Sequence, residues 1–303
     1  MPWKKGNRVR LLAEAEAKGA TRDTYEQIKS ALGLPHVAAL HQALAMYPKF
    51  FELYWRAFRP VFGNPFFAAI ERLRADAYTR AFNYFDVPDL SVIADPNARR
   101  ELEEATDLLQ YEDAAMLLIA AIQLQAFDGS GERLEQLETS AGPVKHPIYV
   151  HAPKLSEEQA APVLLRRVYE DLRHALGTSF ISYEYRALAR SPEFFARYSA
   201  ALKEWSTSPI YEGIQHAVRE SAWMLACELP AAEDLTVGHL SEIGISNEEI
   251  AAVVHISELF IDELSSLVLN VSLARIALEG GTQIRRPAAP GPVKEVTGAE
   301  KAA

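Results

Sequence analysis

The stretch Tyr25-Glu-Gln-Ile-Lys-Ser-Ala-Leu-Gly33 occurs a second time, in related form, as Tyr169-Glu-Asp-Leu-Arg-His-Ala-Leu-Gly177. Extending this alignment without a gap pairs residues 25–70 with residues 169–214, which lie 144 positions later, and 15 of the 46 pairs are identical. Solenoid repeats have periods of roughly 20–50 residues. The spacing therefore indicates the duplication of one large unit, and two like halves create a seam in which a pocket can form.

Both copies predict the same series of helices. Gly33 and Gly177 are typical residues after a helix end, and Pro48 and Pro65 begin new helices in the first copy. No segment alternates with period two, so the sequence favours an all-α fold of two tandem helical repeats packed as an intramolecular pseudo-dimer. The predicted helices span residues 22–32, 36–46, 49–62, 64–84, 98–109 and 113–127, then 161–176, 180–190, 192–205, 209–228, 247–255 and 258–279.

The composition predicts five segments along the chain. A long stretch rich in Gly, Pro and charged residues separates the copies and reads as a crossover linker, and the C-terminal residues are rich in Pro, Ala and Gly, which is typical of disorder. The predicted segments are an N-terminal extension (1–20), repeat 1 (21–127), the linker (128–160), repeat 2 (161–281) and a disordered tail (282–303).

Charge and cysteine content restrict the partners and the compartment. The net charge of −10 and the lack of a long basic run argue against nucleic-acid binding. Cys227 is the single cysteine, which excludes an intrachain disulfide and favours a cytoplasmic location. The longest apolar run, residues 114–124, is too short to span a bilayer. A homodimer is left open.

The two copies differ in chemistry at the start of their second helices. Leu40 aligns with Glu184, and Ala39 aligns with Tyr183. Equivalent positions in a pseudo-dimer have equivalent environments, so Glu184 is expected to be buried, with a raised pKa, as a general base at the seam. The alternative is that the halves differ here and Glu184 is solvated.

A metal-binding site is a less favoured interpretation of the acidic residues and histidines than a general base. His255, Glu258 and Asp262 share one helix face, and Glu112 and Asp113 occupy the matching place in the first copy. Di-metal bundles use Glu-x-x-His motifs on facing helices, whereas the order here is reversed and the partner helix has no histidine. The sequence predicts no metal and no cofactor, and one metal hypothesis remains as an alternative, with His36, Glu112, Glu184 and His255 as ligands.

Several segments resemble the group I 2-haloacid dehalogenases, the DehI family. They are residues 24–39 (TYEQIKSALGLPHVAA), 43–48 (ALAMYP), 187–192 (ALARSP), 228–230 (ELP) and 245–249 (ISNEE), within a resemblance over residues 20–280. The segment 244–254 is also similar to the AhpD-like helical superfamily. The Cys-x-x-Cys pair of that superfamily is absent, because Pro230 stands three residues after Cys227.

The resemblance implies a hydrolase in which water attacks the Cα–halogen carbon of a small 2-haloalkanoic acid, without a covalent enzyme intermediate. The family's catalytic aspartate and the serine before it fall on Glu184 and Tyr183. Its pocket tryptophan falls on His36, a phenylalanine on Ala39, and an asparagine near Glu112. With the neighbouring Tyr185, the substrate-binding prediction comprises Tyr183, Tyr185, His36, Ala39 and Glu112.

The changed pocket residues leave two other functions open. One is a catalytically divergent protein that binds a small organic acid, and the other is a hydrolase that acts on a non-halogenated substrate.

Overall fold

The computed structural model describes residues 9–92, 95–129, 146–178 and 180–282. Within these segments every regular element is helical and no strand is present, which confirms the all-α prediction. The first five α-helices are α1 (Gly19–Leu32), α2 (Ala39–Leu44), α3 (Pro48–Phe58), α4 (Asn64–Tyr84) and α5 (Pro96–Asp128). The remainder are α6 (Val163–Leu176), α7 (Tyr183–Leu188), α8 (Pro192–Ser206), α9 (Pro209–Cys227), α10 (Val237–Glu242) and α11 (Asn247–Leu278).

Local sequence signals account for most helix ends. Gly33 and Gly177 follow α1 and α6 in the left-handed conformation, each with φ of 67°, which glycine adopts without steric cost. Helices α3, α4, α8 and α9 each carry a proline in the first turn, where a missing N–H costs nothing. The Ser246 side chain accepts a hydrogen bond from the Glu249 amide and so caps α11.

Several predicted helix boundaries are wrong. Helices α5 and α11 run without a break through the positions near 110 and 256 at which the sequence predicted interruptions. The acids near those positions do not begin new helices, and no proline or glycine is present there to end one. Helices α2 and α7 begin three residues later than predicted, because residues 36–38 and 180–182 are irregular. Helix α10, which the sequence reading missed, begins at the Thr236 cap.

The centre of the molecule is the contact between α5 and α11, which are buried along most of their lengths. Helices α4 and α9 pack against both of them. Each short helix packs against the long helix of the other half: α7 contacts α5, and α2 contacts α11. Residues of α7 therefore meet residues of the first long helix, at the seam that the duplication predicts.

Corresponding contacts hold the chain before α1 and before α6. The Tyr25 hydroxyl donates to the Leu12 carbonyl at 2.8 Å, and the Tyr169 hydroxyl donates to the Ser156 carbonyl at 2.8 Å. The ion pair Lys29–Glu14 has the counterpart Arg173–Glu158. These contacts attach residues 12–14, assigned above to the N-terminal extension, to the first half. The five-segment division otherwise stays a prediction.

The end of the predicted linker returns to the first half. The Tyr149 amide donates to the Gly33 carbonyl at 2.9 Å, and the Tyr149 hydroxyl donates to Asp107 of α5 at 2.9 Å. We call residues 146–155 the strap. The linker residues 130–145 and the predicted tail beyond Thr282 lie outside the described residues.

Among the helices of the described ranges, none combines the length and the apolar character needed to cross a membrane.

Candidate active site

The centre of the site is a pair of carboxyl groups that α7 and α5 bring together. Glu184 is the second residue of α7 and is 7% exposed, and Asp113 lies midway along α5 and is 2% exposed. Their carboxyl groups lie within hydrogen-bonding reach of each other. Two carboxyl groups can share a hydrogen bond only when one of them is protonated.

Burial sets the protonation of this pair. Burial raises the pKa of Asp113 well above its ordinary value, and the negative charges of Glu184 and Glu112 raise it further. Burial also raises the pKa of Glu184, and this effect outweighs the hydrogen bonds that stabilise its ionised form. Of the two, Asp113 is the one whose pKa is raised further, so it holds a proton more readily than Glu184 does.

A second pair, His36 and Glu112, lies beside the first. The two Glu112 oxygens are 2.9 Å and 3.1 Å from His36 Nε2. Burial lowers the pKa of His36, but the Glu112 carboxylate and the acids around it reverse this, so that the pKa is raised overall. The Tyr183 ring covers the imidazole, with ring centroids 4.8 Å apart. Tyr183, His36 and Glu112 thus form one wall next to the acid pair.

Four buried polar atoms of these residues have no hydrogen-bond partner within the described ranges: Asp113 Oδ2, Glu184 Oε2, Glu112 Oε2 and His36 Nδ1. Glu112 Oε2 is nevertheless ion-paired with His36 Nε2 at 2.9 Å. With Nε2 facing Glu112, a protonated His36 presents Nδ1–H as a donor. The site can therefore donate a hydrogen bond from His36 to a bound acceptor.

The structure brings together four of the six predicted site residues: Glu184, Tyr183, His36 and Glu112. Ala39 is the exposed first residue of α2, so it lines no buried pocket. The Tyr185 hydroxyl accepts a hydrogen bond from Asn270 of α11 at 2.8 Å, in a network with Tyr198 and Tyr211. Tyr185 therefore serves the interior of the second half, because adjacent residues of a helix point in different directions.

Asp113 belongs to the site but is not among the six predicted site residues. The sequence pattern predicts a helix that begins at Asp113, whereas α5 is continuous and Asp113 is internal to it. One signal was present: an acid directly before the apolar run 114–124 has few polar neighbours on its own helix.

The other half carries leucine at both positions of the acid pair. The glycines Gly129 and Gly280 follow α5 and α11, and superposing them also superposes the first residues of the two helices. This register places Leu264 at the position of Asp113, while Leu40 occupies the position of Glu184. Both leucines are buried.

A cleft of about 470 Å³ lies between α5, the strap and the end of α7. Leu108, Tyr149 and Ala187 line it, and Tyr183 packs against the apolar cluster that contains Leu108 and Ala187. The acid pair, His36 and Glu112 do not line this cleft.

The structure separates the residues of the metal hypothesis. His255 is 52% exposed on α11, 3.8 Å from Glu258, and lines a different cleft together with Arg10 and Tyr47. Among the described residues, no group of three or more His, Cys, Asp or Glu side chains is arranged to hold a metal ion.

This chain is similar to proteins described as acting on halogenated carboxylic acids. A family model described as "Halocarboxylic acid dehydrogenase DehI" matches residues 35–185. An (R)-2-haloacid dehalogenase of Rhizobium sp. (strain NHG3) is 26% identical over 231 residues, which cover 73% of this chain and 88% of the relative. An (R)-2-haloacid dehalogenase of Pseudomonas putida is 25% identical over 283 residues, covering 87% and 91%.

Solved structures agree in fold. A D-2-haloacid dehalogenase mutant superposes with a TM-score of 0.80 at 23% identity, covering 90% of this chain and 97% of that one. A complex of D-2-haloacid dehalogenase with L-LA gives a TM-score of 0.78 at the same identity and coverage.

Proposed function

The chain is a divergent member of the DehI family and an enzyme of the hydrolytic dehalogenase type, and we propose from this premise that Glu184 activates the hydrolytic water. The substrate is a small 2-haloalkanoic acid. The observation that carries the proposal is the buried contact between Glu184 and Asp113 at the α5–α7 seam. It gives the site one carboxylate that accepts a proton and one carboxyl group that already holds one.

The reaction is a single displacement. The water oxygen bonds to Cα as the carbon–halogen bond breaks, and the bonding pair leaves with the halide. The water proton passes to Glu184, which releases it to solvent after the 2-hydroxy acid departs. No bond forms between enzyme and substrate, and attack opposite the halide inverts the configuration at Cα.

The environment of Glu184 suits it to this role. A general base is most effective when its pKa lies near the working pH, and burial moves the pKa of Glu184 upward from its ordinary value. Burial also restricts bulk water, so that the charge of the carboxylate acts at short range in a medium of low dielectric constant.

His36 is the proposed partner of the substrate carboxylate. Its Nε2 is engaged by Glu112, and its buried Nδ1 has no protein acceptor within the described chain. A protonated imidazole would donate Nδ1–H to the substrate, and the Tyr183 ring fixes its orientation. Glu112 acts through His36, because its negative charge favours the imidazolium.

The test is halide release from both enantiomers of 2-chloropropionate and 2-bromopropionate. We expect Glu184→Gln to lower kcat by about 10²–10⁴, the usual contribution of general-base catalysis. Glu170→Gln, which changes an exposed acid of α6, is the matched control and is expected to behave as wild type. An unaffected Glu184→Gln enzyme would remove the role of Glu184.

Two further observations complete this test. A single turnover in ¹⁸O-labelled water should place the label in the product, whereas an enzyme ester would deliver unlabelled carboxylate oxygen in that first turnover. If the wild type releases no halide but is stabilised thermally by 2-haloacids, the protein is a small-acid-binding protein instead.

A further inference from the structure

A second cleft lies where the end of α2 meets α11. It has a volume of about 400 Å³ and is lined by residues 9–10, by residues 46–47 and by one face of α11 between residues 252 and 259. We call it the N-terminal cleft, and we propose that it binds a small monocarboxylic acid. Arg10 and His255 hold the carboxylate, and the alkyl chain lies on α11.

This cleft is the counterpart of the cleft lined by Leu108, Tyr149 and Ala187, which we call the strap cleft. The offset of 144 residues between the two copies pairs residues 9, 10 and 46 with residues 153, 154 and 190. The register of the long helices pairs residues 252, 255, 256 and 259 with residues 101, 104, 105 and 108. All of these residues line one cleft or the other.

Two equivalent hydrogen bonds support this correspondence. The Leu12 amide donates to the Gln42 carbonyl of α2 at 3.0 Å, and the Ser156 amide donates to the Arg186 carbonyl of α7 at 2.9 Å. Both the donors and the acceptors are related by the same offset. The cleft is therefore present once in each copy of the duplicated unit, and the two clefts can be compared position by position.

The two clefts differ in charge. Glu101 and Glu104 line the strap cleft, and Glu101 is ion-paired with Lys154 at 3.2 Å. The positions of these two acids are occupied by Ala252 and His255 in the N-terminal cleft. The second cleft thus keeps a cation at the position of Lys154, which is Arg10, and lacks both acids.

Arg10 consequently has no equivalent of the ion pair that neutralises Lys154. Among the described residues that line the N-terminal cleft, none is acidic. Glu258 lies 3.8 Å from His255 Nδ1, but it lines a different groove, together with Trp223. The cleft therefore presents a positive charge on a chain whose net charge is −10, and such a local reversal favours an anionic ligand.

Arg10 and His255 supply the donors that a carboxylate requires. The guanidinium presents its N–H groups in a planar fork that matches the two carboxylate oxygens, and an imidazole adds a ring N–H. Both residues are exposed, so an incoming carboxylate reaches them directly from solvent.

The rest of the lining is mainly apolar and suits a short alkyl chain. Ile256 and Leu259 are buried side chains of α11, and Met46 is half-buried beside them in the same cleft. Sites for small molecules usually have volumes of roughly 300–1,000 Å³ and combine apolar walls with a few polar groups. A charged end and an apolar wall fit a short aliphatic acid better than an inorganic anion.

The test is an NMR titration of the full chain with acetate, propionate and butyrate, each replacing sodium chloride at constant pH and ionic strength. These acids carry no leaving group and stay intact. The ring resonance of His255, identified by its loss in His255→Gln, should move saturably. The affinity should rise about twofold to fourfold with each added CH₂ group, because each one buries more apolar surface.

Arg10→Gln should lower the affinity for propionate about fivefold, which is the upper end for an exposed ion pair. Lys154→Gln makes the same change at the equivalent position of the strap cleft and is the matched control. It should leave the titration unchanged. Both side chains are exposed, so neither variant is expected to impair folding.

Three results would overturn the proposal. They are a His255 resonance that does not move, one affinity for all three acids, and a loss in Lys154→Gln as large as that in Arg10→Gln. The first means that no acid binds, the second that any anion binds equally, and the third that the acid binds elsewhere. The resonance reports on this cleft alone, so the result is independent of whether Glu184 catalyses hydrolysis.

Discussion

Asp113 and Glu184 are expensive residues for the fold. Each removes a carboxyl group from water, and the attraction within a buried polar pair does not generally compensate for that loss. The counterparts Leu40 and Leu264 are buried apolar side chains at the equivalent positions. The two halves thus fill equivalent buried positions with carboxyl groups in one case and with leucines in the other.

This contrast leads to a prediction at the scale of residues. The double variant Asp113→Leu/Glu184→Leu should be more stable than wild type by about 1–4 kcal/mol, the range found when buried ionic groups are replaced by apolar ones, and should release no halide. Urea unfolding measures the stability. The single variant Glu184→Leu is the control, and a double variant less stable than wild type would contradict the prediction.

The sequence revealed one member of the pair and not the other, for a physical reason. Glu184 was found because a local alignment set it against a leucine, and local registers survive in sequence. Asp113 faces α7 only because α5 is one continuous helix, whereas the sequence pattern predicts a break between residues 109 and 113. The prediction that Ala39 lines the pocket is wrong because α2 begins at this residue and leaves its side chain exposed.

At the scale of elements, the ends of α1 and α6 are alike in backbone and different in surroundings. Gly33 and Gly177 both have φ of +67°. A Cβ on Gly33 would lie 2.3 Å from the Pro147 carbonyl oxygen of the strap, whereas a Cβ on Gly177 would meet no atom of the described residues within 4 Å. Glycine is therefore required at position 33 both for the left-handed turn and for the close approach of the strap.

Gly33→Ala should consequently be more destabilising than Gly177→Ala. Both variants incur the strain of a left-handed residue with a side chain, about 1–2 kcal/mol. Only Gly33→Ala must also displace the strap and its Tyr149–Gly33 hydrogen bond. Thermal unfolding of the two variants measures the difference directly, and equal losses would mean that the strap contributes nothing to stability.

Helix ends could be predicted from glycine and proline, whereas the strap could not. A left-handed glycine is a local requirement, and it is visible in nine residues of sequence. The return of residues 146–149 to Gly33 is a tertiary contact, and the Gly- and Pro-rich composition of the linker specifies no destination for it.

At the scale of the whole molecule, several buried acids have raised pKa values. Burial, followed by the negative charge of Glu184, raises the pKa of Glu263 to about 7, and Asp113 and Glu184 shift in the same direction. An acid with a raised pKa in the folded state binds its proton more tightly than the unfolded chain does. Its contribution to stability is present at low pH and is lost as the pH rises through the folded-state pKa.

The free energy of unfolding should therefore fall between about pH 4, the ordinary pKa of these acids, and about pH 7, the folded-state pKa of Glu263. Burial lowers the pKa of His41 to about 3, so that residue adds an opposing rise between about pH 3 and about pH 6.5. Asp113→Asn should show a smaller fall, because it removes one titrating group. Chemical denaturation at both pH values measures the effect, and a variant with an unchanged fall would contradict this origin.

The acids around the site also affect the rates at which anions enter and leave it. Glu14 lies close enough to influence His36, Glu112, Asp113 and Glu184 are neighbours, and the chain as a whole carries a net charge of −10. A halide and a hydroxy acid are both anions, so the local potential speeds their escape, and the same potential slows the arrival of an anionic substrate. Added salt screens charges over a Debye length of about 10 Å at 0.1 M. The enzyme's encounter rate would then rise with ionic strength, the reverse of an enzyme that attracts its substrate electrostatically.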